Sequence, residues 1–591
     1  MKSSIIFVAD EFASSGFLGG AELNDVVLIE FLKKRHNVMT CASSDFSADL
    51  LNKGYTFVVG NFTRMPPEYL CLLKNESYII YEHDHKYVTT RDPSVFKDFC
   101  IPRHSIANYN FYHRAKAVVV LSEICKKIII ENLGLNNVYN IGTSLWSEAH
   151  LNKIESLLGT EKTIECGILD SANPIKGSSS AAQYCKSRNI TPTKIGSNNP
   201  TVFLEQLSKC KTLVYLPQVL ETFNRLTAEA RMLNCNLITR RAKLGFASES
   251  CFELKGKKLI DEIRQRVQSA LVLFDKLVES CLTQDDRPTI AFVGKFEKLY
   301  DEEGKAQALE SAGFRVWRYD ELWFSKNPTL ASELLLARKP DIVMYTKLRI
   351  PKAEKLIERS KEQEAKTVCW VPDLYFGLPR EEELYAKAPV FTSDYVFTPD
   401  GGHDKEFEAL GINHICVKQG ISEKYLSPIS LQQKKDIDIL FVGTLGPEHG
   451  ASRHKLLSFL RKRYLDRFVW IGQRGPHSCR DEELVKTYQR AKIVIGDCVE
   501  SDNYWSNRIY ETLGRSAFLL HPDVPGLETQ FVNEKHLVLF ERGNYDELEE
   551  KIEYYLANDS IREEIAHNGY LEVAQNHTLL DRARQVLEIL K

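Results

Sequence analysis

Little in this sequence points to a membrane, a metal or a nucleic acid. Its 591 residues carry a formal net charge of −3 and a pI near 6.6, so no global field draws the chain to nucleic acid or an anionic bilayer. A local basic patch is compatible with that balance. No run approaches the ~18 apolar residues that span a bilayer. The opening MKSSIIFVAD turns polar too soon for a signal peptide and reads as a first β-strand. The 14 cysteines are scattered, with no CxxC pair and no zinc-finger spacing. Cys41, Cys166 and Cys369, flanked by apolar residues, read as buried thiols of a reducing cytosol, so a cytoplasmic location is expected. There is no short tandem repeat and no low-complexity tract.

What is present is ordinary for a large globular chain: 43% hydrophobic and 27% charged residues. At about 150 residues per domain, the length suggests about four domains. Strand-like runs alternate with helical patterns throughout: SIIFVAD, HNVMTCA, YTFVVGN, SYIIYEHD and AVVVLS, then TIECGILD, TPTKIGS and KTLVYLP. The rhythm restarts at TIAFVG and again at DIDILFVG. This predicts an α/β chain with mainly parallel sheets in four Rossmann-like domains. The expected boundaries are 1–147, 148–283, 284–430 and 431–591, with TQDDRP as the linker between halves. The amphipathic segment from Gly256 to Leu282 is expected to close the second domain. Two helices, YDELEEKIEYYLAN and DSIREEIAHNGYLEVAQN, are expected to finish the fourth.

One stretch organises the first half: TLVYLPQVLETFNRLTAEARMLNCNLIT, from Thr212 to Thr239. A buried strand, a loop carrying Glu221, a helix carrying Glu229 and a second strand make one βαβ unit. Its ligand crevice lies beyond the carboxyl ends of the strands. The second half repeats the arrangement from Ala491 to His521, with Glu511 inside the helix and Asn503 eight positions earlier in place of a glutamate.

The motif Glu221-TFNRLTA-Glu229 resembles the E-x7-E signature of family 4 retaining glycosyltransferases (glycosyl transferases group 1), which have the GT-B fold of two facing Rossmann-like domains. The GGAE at Gly19 to Glu22 is similar to the glycine loop after that family's first strand. The NPIKG at Asn173 to Gly177 is similar to its lysine-glycine pair, although the basic residue often found ahead of it is absent. The EHDH at Glu82 to His85 stands where the family often carries a histidine touching the donor sugar. In the second half, SNRIYETLGRSAFLLH and VPDLYFG resemble spore-maturation-type (CgeB-like) glycosyltransferases, in which an N-R-x-x-E helix faces the nucleotide. Together the resemblances imply two tandem GT-B modules.

The resemblance implies a glycosyltransferase moving a sugar from a nucleoside-diphosphate sugar to a hydroxyl acceptor, a glycan or a modified nucleobase, with retention in the first module. Glu221, His83 and Asp84 are the candidate catalytic groups. Gly19, Gly20, Lys176, Arg225 and Glu229 are candidate donor contacts in the first half, and Asn507, Arg508 and Glu511 in the second. Cations and backbone N–H groups can neutralise a leaving diphosphate, so no cofactor or metal is required in principle.

Each residue has a plainer reading. Glu221 suits a helix-start carboxylate favoured by the dipole, Lys176 a solvated loop lysine, and Gly19 and Gly20 simple turns. His83 and His85 at a strand end face one way and, with Asp84, could hold a metal or join a structural polar network. Arg508 and Glu511 are spaced for an i,i+3 salt bridge. Asp373 is either a base for an inverting second module or a turn aspartate, and Arg453 and His454 face either phosphate or solvent. Two alternatives stay open for the whole chain. A DNA-base glycosyltransferase would hold phosphates on stretches such as Arg240 to Lys243 and Arg461 to Tyr464. A non-catalytic scaffold would bind a glycan or nucleotide without turnover.

Overall fold

The computed structural model describes residues 4–13, 19–51, 53–197, 199–281, 287–296, 301–428, 434–446, 450–472 and 481–590. Most of the TQDDRP linker lies outside these residues. The chain forms two compact units, Met1–Gln284 and Asp285–Lys591.

In the first unit, one sheet holds β1 (Ser4–Ala9), β2 (Asn37–Ala42), β3 (Thr56–Val59), β4 (Ser77–Tyr81), β5 (Ala117–Val120) and β6 (Val138–Asn140), in the order β2-β1-β3-β4-β5-β6. A second sheet holds β7 (Ile164–Leu169), β8 (Thr193–Ile195), β9 (Cys210–Tyr215) and β10 (Asn236–Thr239), in the order β10-β9-β7-β8. In the second unit, β11 (Thr289–Gly294), β12 (Arg315–Asp320), β13 (Ile342–Tyr345), β14 (Lys366–Trp370), β15 (Tyr395–Thr398) and β16 (His414–Cys416) are ordered β12-β11-β13-β14-β15-β16. Its other sheet holds β17 (Ile437–Val442), β18 (Phe468–Ile471), β19 (Ala491–Ile495), β20 (Leu519–Pro522) and β21 (Val538–Phe540), in the order β18-β17-β19-β20-β21.

Every pairing among these named strands is parallel, as β1 with β3 and β17 with β19 illustrate. The expectation of an α/β chain with four mainly parallel sheets holds. Parallel strands are covered on both faces, which is why they read as continuous apolar runs: Ile5 to Ala9 and Val118 to Val120 are fully buried. The first sheets of the two units share one winding order. The second sheets share another, with one more strand in the second unit. The internal repeat is therefore a repeat of topology.

Long-range packing adds what periodicity did not supply. The helix Gly256–Ser280 returns to the first sheet of its unit: Phe274 meets Tyr81 at 4.9 Å between ring centroids, and Asp275 pairs with His36 at 2.8 Å and with Arg35. The second unit ends in a third helix beyond the two expected, Leu579–Leu590. Its Ala583, Val586, Leu587 and Leu590 enter the core of the β11–β16 sheet. In each unit a closing helix thus returns to the first sheet.

Candidate functional site

In the first unit, the loops at the carboxyl ends of β7 and β9 meet through Lys176 and Glu221. The turn Pro174–Lys176 is started by Asn173, whose side chain accepts from the Ile175 N–H at 3.1 Å, and ended by Gly177 at φ +71°. This turn directs Lys176 toward Glu221, and its Nζ donates to Glu221 Oε1 at 2.9 Å. The Tyr215 hydroxyl donates to the same oxygen at 2.7 Å. The Glu221 backbone is pinned on both sides, its N–H to Lys243 O at 3.1 Å and its carbonyl accepting from Gly245 N at 2.7 Å. Burial would raise the Glu221 carboxyl, but the Lys176 ammonium and the Tyr215 hydroxyl outweigh it and hold it below its ordinary value.

Glu221 is not a helix-start carboxylate. The helix Arg225–Met232 begins four residues later and is capped by Asn224, which accepts from the Thr227 N–H at 2.9 Å. Glu229 lies within that helix, buried, its Oε1 accepting from Trp146 Nε1 at 2.9 Å and meeting His150 Nε2 at 3.1 Å. Burial again opposes ionisation of Glu229, and His150 and Arg225 carry it below the usual carboxylate value. Arg225 lies over the Trp146 ring at 4.6 Å and donates to the Leu145 carbonyl.

The glycine loop meets this group. Gly19 precedes the helix Gly20–Lys33, and a Cβ at Gly20 would stand 3.6 Å from Arg225 Cδ. Candidates carried by the two sheets of the unit therefore meet here, Gly20 from the first and Arg225, with Glu229 one turn on, from the second. The loop around Glu221 also touches the segment after β4. Thr222 Oγ1 donates to the His83 carbonyl at 2.8 Å, and the Leu220 N–H to Asp92 at 3.1 Å.

The candidates after β4 are separated by their partners. Strand β4 ends at Tyr81, so strand alternation does not govern His83 and His85. His83 Nε2 meets Asp25 at 3.0 Å with both side chains buried, whereas His85 Nδ1 meets the Tyr87 hydroxyl at 2.9 Å. Burial pushes the His85 ring down to about 4. Asp84 takes Lys86 at 2.6 Å and also pairs with Arg91. Among the described residues no group of three His, Cys, Asp or Glu side chains is placed to hold a metal ion. Asp25, Trp146, His150 and Tyr215 were missed in the sequence, where no motif or period marks them.

In the second unit, Asn507 and Glu511 line a cavity of about 300 Å³, together with Lys305, Lys418, Gln419, Arg515 and Arg582. Asn507 donates to Glu511 at 3.2 Å, and Arg515 pairs with Glu511 at 3.4 Å. Asn507 Oδ1, Gln419 Oε1 and Arg515 Nε are buried and have no hydrogen-bond partner among the described residues. Burial lowers the Lys418 ammonium; it donates to the Pro399 carbonyl at 3.0 Å and to that of Asn503, the residue standing in place of a first glutamate.

Arg508 is engaged by the backbone rather than by Glu511. It makes no salt bridge with Glu511 and does not line the cavity. Its guanidinium donates to the carbonyls of Val442 and Asp497, both at 2.6 Å, and so ties the carboxyl end of β17 to that of β19. Arg453 is buried rather than solvated, bonding Asp497 at 2.6 Å and Thr444 O at 2.8 Å, while His454 is exposed. Asp373 is engaged by Lys347 and, at 3.1 Å, by Arg380. The basic stretches are engaged as well: Arg241 pairs with Glu253 at 3.1 Å, Lys243 donates to Gln218 O, and Arg463 bonds Glu549 at 2.8 Å.

This is an α/β architecture with polar groups gathered at the carboxyl ends of parallel strands, where such sheets bind ligands. Residues 430–588 match the Glyco_trans_1_2 family model, described as glycosyl transferase-like. The match identifies a glycosyltransferase domain, and so an enzyme of that class, in the C-terminal part of the chain. No curated protein matches the sequence. Among solved structures, a sucrose-phosphate synthase from Thermosynechococcus elongatus is 14% identical, covering 51% of this chain and 98% of that one at a TM-score of 0.38. Alr3699/HepE of Anabaena, solved with UDP, is 12% identical, covering 51% and 99% at 0.37. An alpha-glucosyltransferase solved with UDP and a 13-mer DNA containing a central A:G mismatch is 11% identical, covering 52% and 100% at 0.41.

Proposed function

We propose that this chain transfers a sugar from a nucleoside-diphosphate sugar to a hydroxyl acceptor, with the first unit as a retaining catalytic module. In this reading residues 1–147 and 148–283 are the paired domains of one GT-B module, and 284–430 and 431–591 those of a second. The observation that carries it is the Lys176–Glu221 pair at the carboxyl ends of β7 and β9. A diphosphate binding there would compete with Glu221 for the Lys176 ammonium. The freed carboxylate would then face the donor sugar while the cation neutralises the leaving group. Arg225, beside Gly20, would add a second positive group. The second Glu229 oxygen would accept from a ribose hydroxyl, Oε1 being taken by Trp146 and His150. His83, steadied by Asp25, would contact the sugar. Neutralisation by these side chains requires no metal. The free cysteines among the described residues are in keeping with action in a reducing cytoplasm.

For the second unit we propose nucleotide binding through Asn507 and Glu511, on the strength of the cavity they line and its unpaired buried polar atoms. That unit either transfers a second sugar or presents the acceptor.

Hydrolysis of a panel of UDP-, GDP-, ADP- and TDP-sugars, repeated with Glu221→Ala and Glu511→Ala, tests both statements. Slow hydrolysis of one donor lost only in Glu221→Ala is the expected result. Loss of hydrolysis only in Glu511→Ala would move catalysis to the second unit. Nucleotide binding with no turnover, even with acceptors supplied, would favour the scaffold reading.

A further inference from the structure

Beside the cavity of Asn507 and Glu511 lies a second one of about 350 Å³, lined by Lys347, Arg349, Asp373, Tyr375, Arg380 and Glu383, with Pro379 at its edge. Asp373 lines both, so the two cavities adjoin. The second belongs entirely to the loops that follow β13 and β14. We infer that it seats an acidic acceptor, a sugar or glycan carrying a phosphate or a carboxylate, next to the donor. The inference rests on reading the adjoining cavity as a nucleotide site.

The charge balance supports it. The chain as a whole is negative, yet the cavity of Asn507 and Glu511 presents five cations to two carboxylates, and its neighbour presents three to two. A donor diphosphate is served by the first group. Lys347, Arg349 and Arg380 do not line the cavity of Asn507 and Glu511 and are grouped around a separate concavity of the size that takes a small ligand. Their internal pairing is incomplete. Lys347 and Arg380 share a single oxygen of Asp373, and the Arg349–Glu383 contact is 3.5 Å long, with the Arg349 side chain 70% exposed. A guanidinium forks onto carboxylate or phosphate oxygens, so a ligand acid can add charge-assisted hydrogen bonds without breaking the Asp373 pairs.

The test is calorimetric titration of the full chain with glucose 6-phosphate, glucuronate and glucose, at low and high salt. We expect at least one of the acids to bind more tightly than glucose and to weaken as salt rises. Arg349→Ala combined with Arg380→Ala should weaken that binding roughly tenfold or more, the loss of a charged hydrogen bond. Arg380→Lys in the Arg349→Ala background should restore part of it. Preference between the two acids identifies phosphate or carboxylate as the recognised group. Equal binding of all three sugars, or acid binding unchanged by the double variant, would overturn the inference. UDP and GDP titrated into the same variants keep the two readings apart. Their binding should be unaltered there, and failure of every nucleotide to bind the wild-type chain would remove the donor reading while the acid titration still stands.

Discussion

A methyl group built on Gly177 would stand 1.8 Å from the carbonyl oxygen of Leu216. Gly177 also has φ +71°, so it is required twice, once for its backbone and once for its lack of a side chain. Gly177→Ala should displace the turn that carries Lys176 and separate it from Glu221. The expected outcome is a destabilised first unit with donor hydrolysis lost together with it, measured by thermal unfolding and by turnover. Unchanged turnover would show that the turn does not position the lysine.

Arg508 holds two backbone carbonyls from separate strands. Removing it in Arg508→Ala forfeits two charge-assisted hydrogen bonds, worth about 2–4 kcal/mol together. The variant should unfold at lower temperature while its surviving folded fraction keeps its affinity for nucleotide. Glu511→Ala should show the reverse, weaker nucleotide binding with little change in melting. Reduced affinity in Arg508→Ala at an unchanged melting temperature would return Arg508 to the binding site.

Glu221 and Glu229 both ionise more readily in the folded chain than their ordinary value of 4.5. Folding therefore favours their charged forms. Their contribution is present above about pH 4.5 and is lost as pH falls below it, because the unfolded chain then binds more protons. Glu221→Gln should flatten that acid limb of stability in the first unit and also remove donor hydrolysis. Stability followed by circular dichroism from pH 6 downward, with turnover measured at neutral pH, checks both.

Histidines give a second and earlier window. Burial pushes His85, His414, His521 and His577 down to about 4 from the ordinary 6.5. Each is neutral in the fold and protonates first in the unfolded chain, so stability is full above about pH 6.5 and declines as pH falls toward 4. His521→Gln should lower stability at neutral pH yet reduce its slope between those values. Calorimetric melting across the range reads the slope, resolved by unit where two transitions appear.

Much of the fold was legible in the sequence because its causes are local. A parallel strand covered on both faces reads as an apolar run, and β5 and β13 are unbroken runs of that kind, as is β1 after Ser4. A ligand loop follows directly from the strand it leaves, so Gly20, Lys176, Glu221 and Glu511 could be picked from their place after strands. Tertiary packing decided the partners. Trp146 and His150 reach Glu229 from 83 and 79 residues away, and Asp25 reaches His83 across 58. Nothing in local periodicity encodes such distances. The same holds for Arg508, whose spacing from Glu511 allowed a salt bridge that two nearby carbonyls displaced, and for Asp84, taken up by Lys86 and Arg91. It holds also for the helix Leu579–Leu590, an amphipathic segment whose apolar face could be assigned to the β11–β16 sheet only once the chain had folded back upon it. The residue types set which chemistry was available at the strand ends. Burial and charge pairing between distant segments decided which of those side chains remained directed at a ligand.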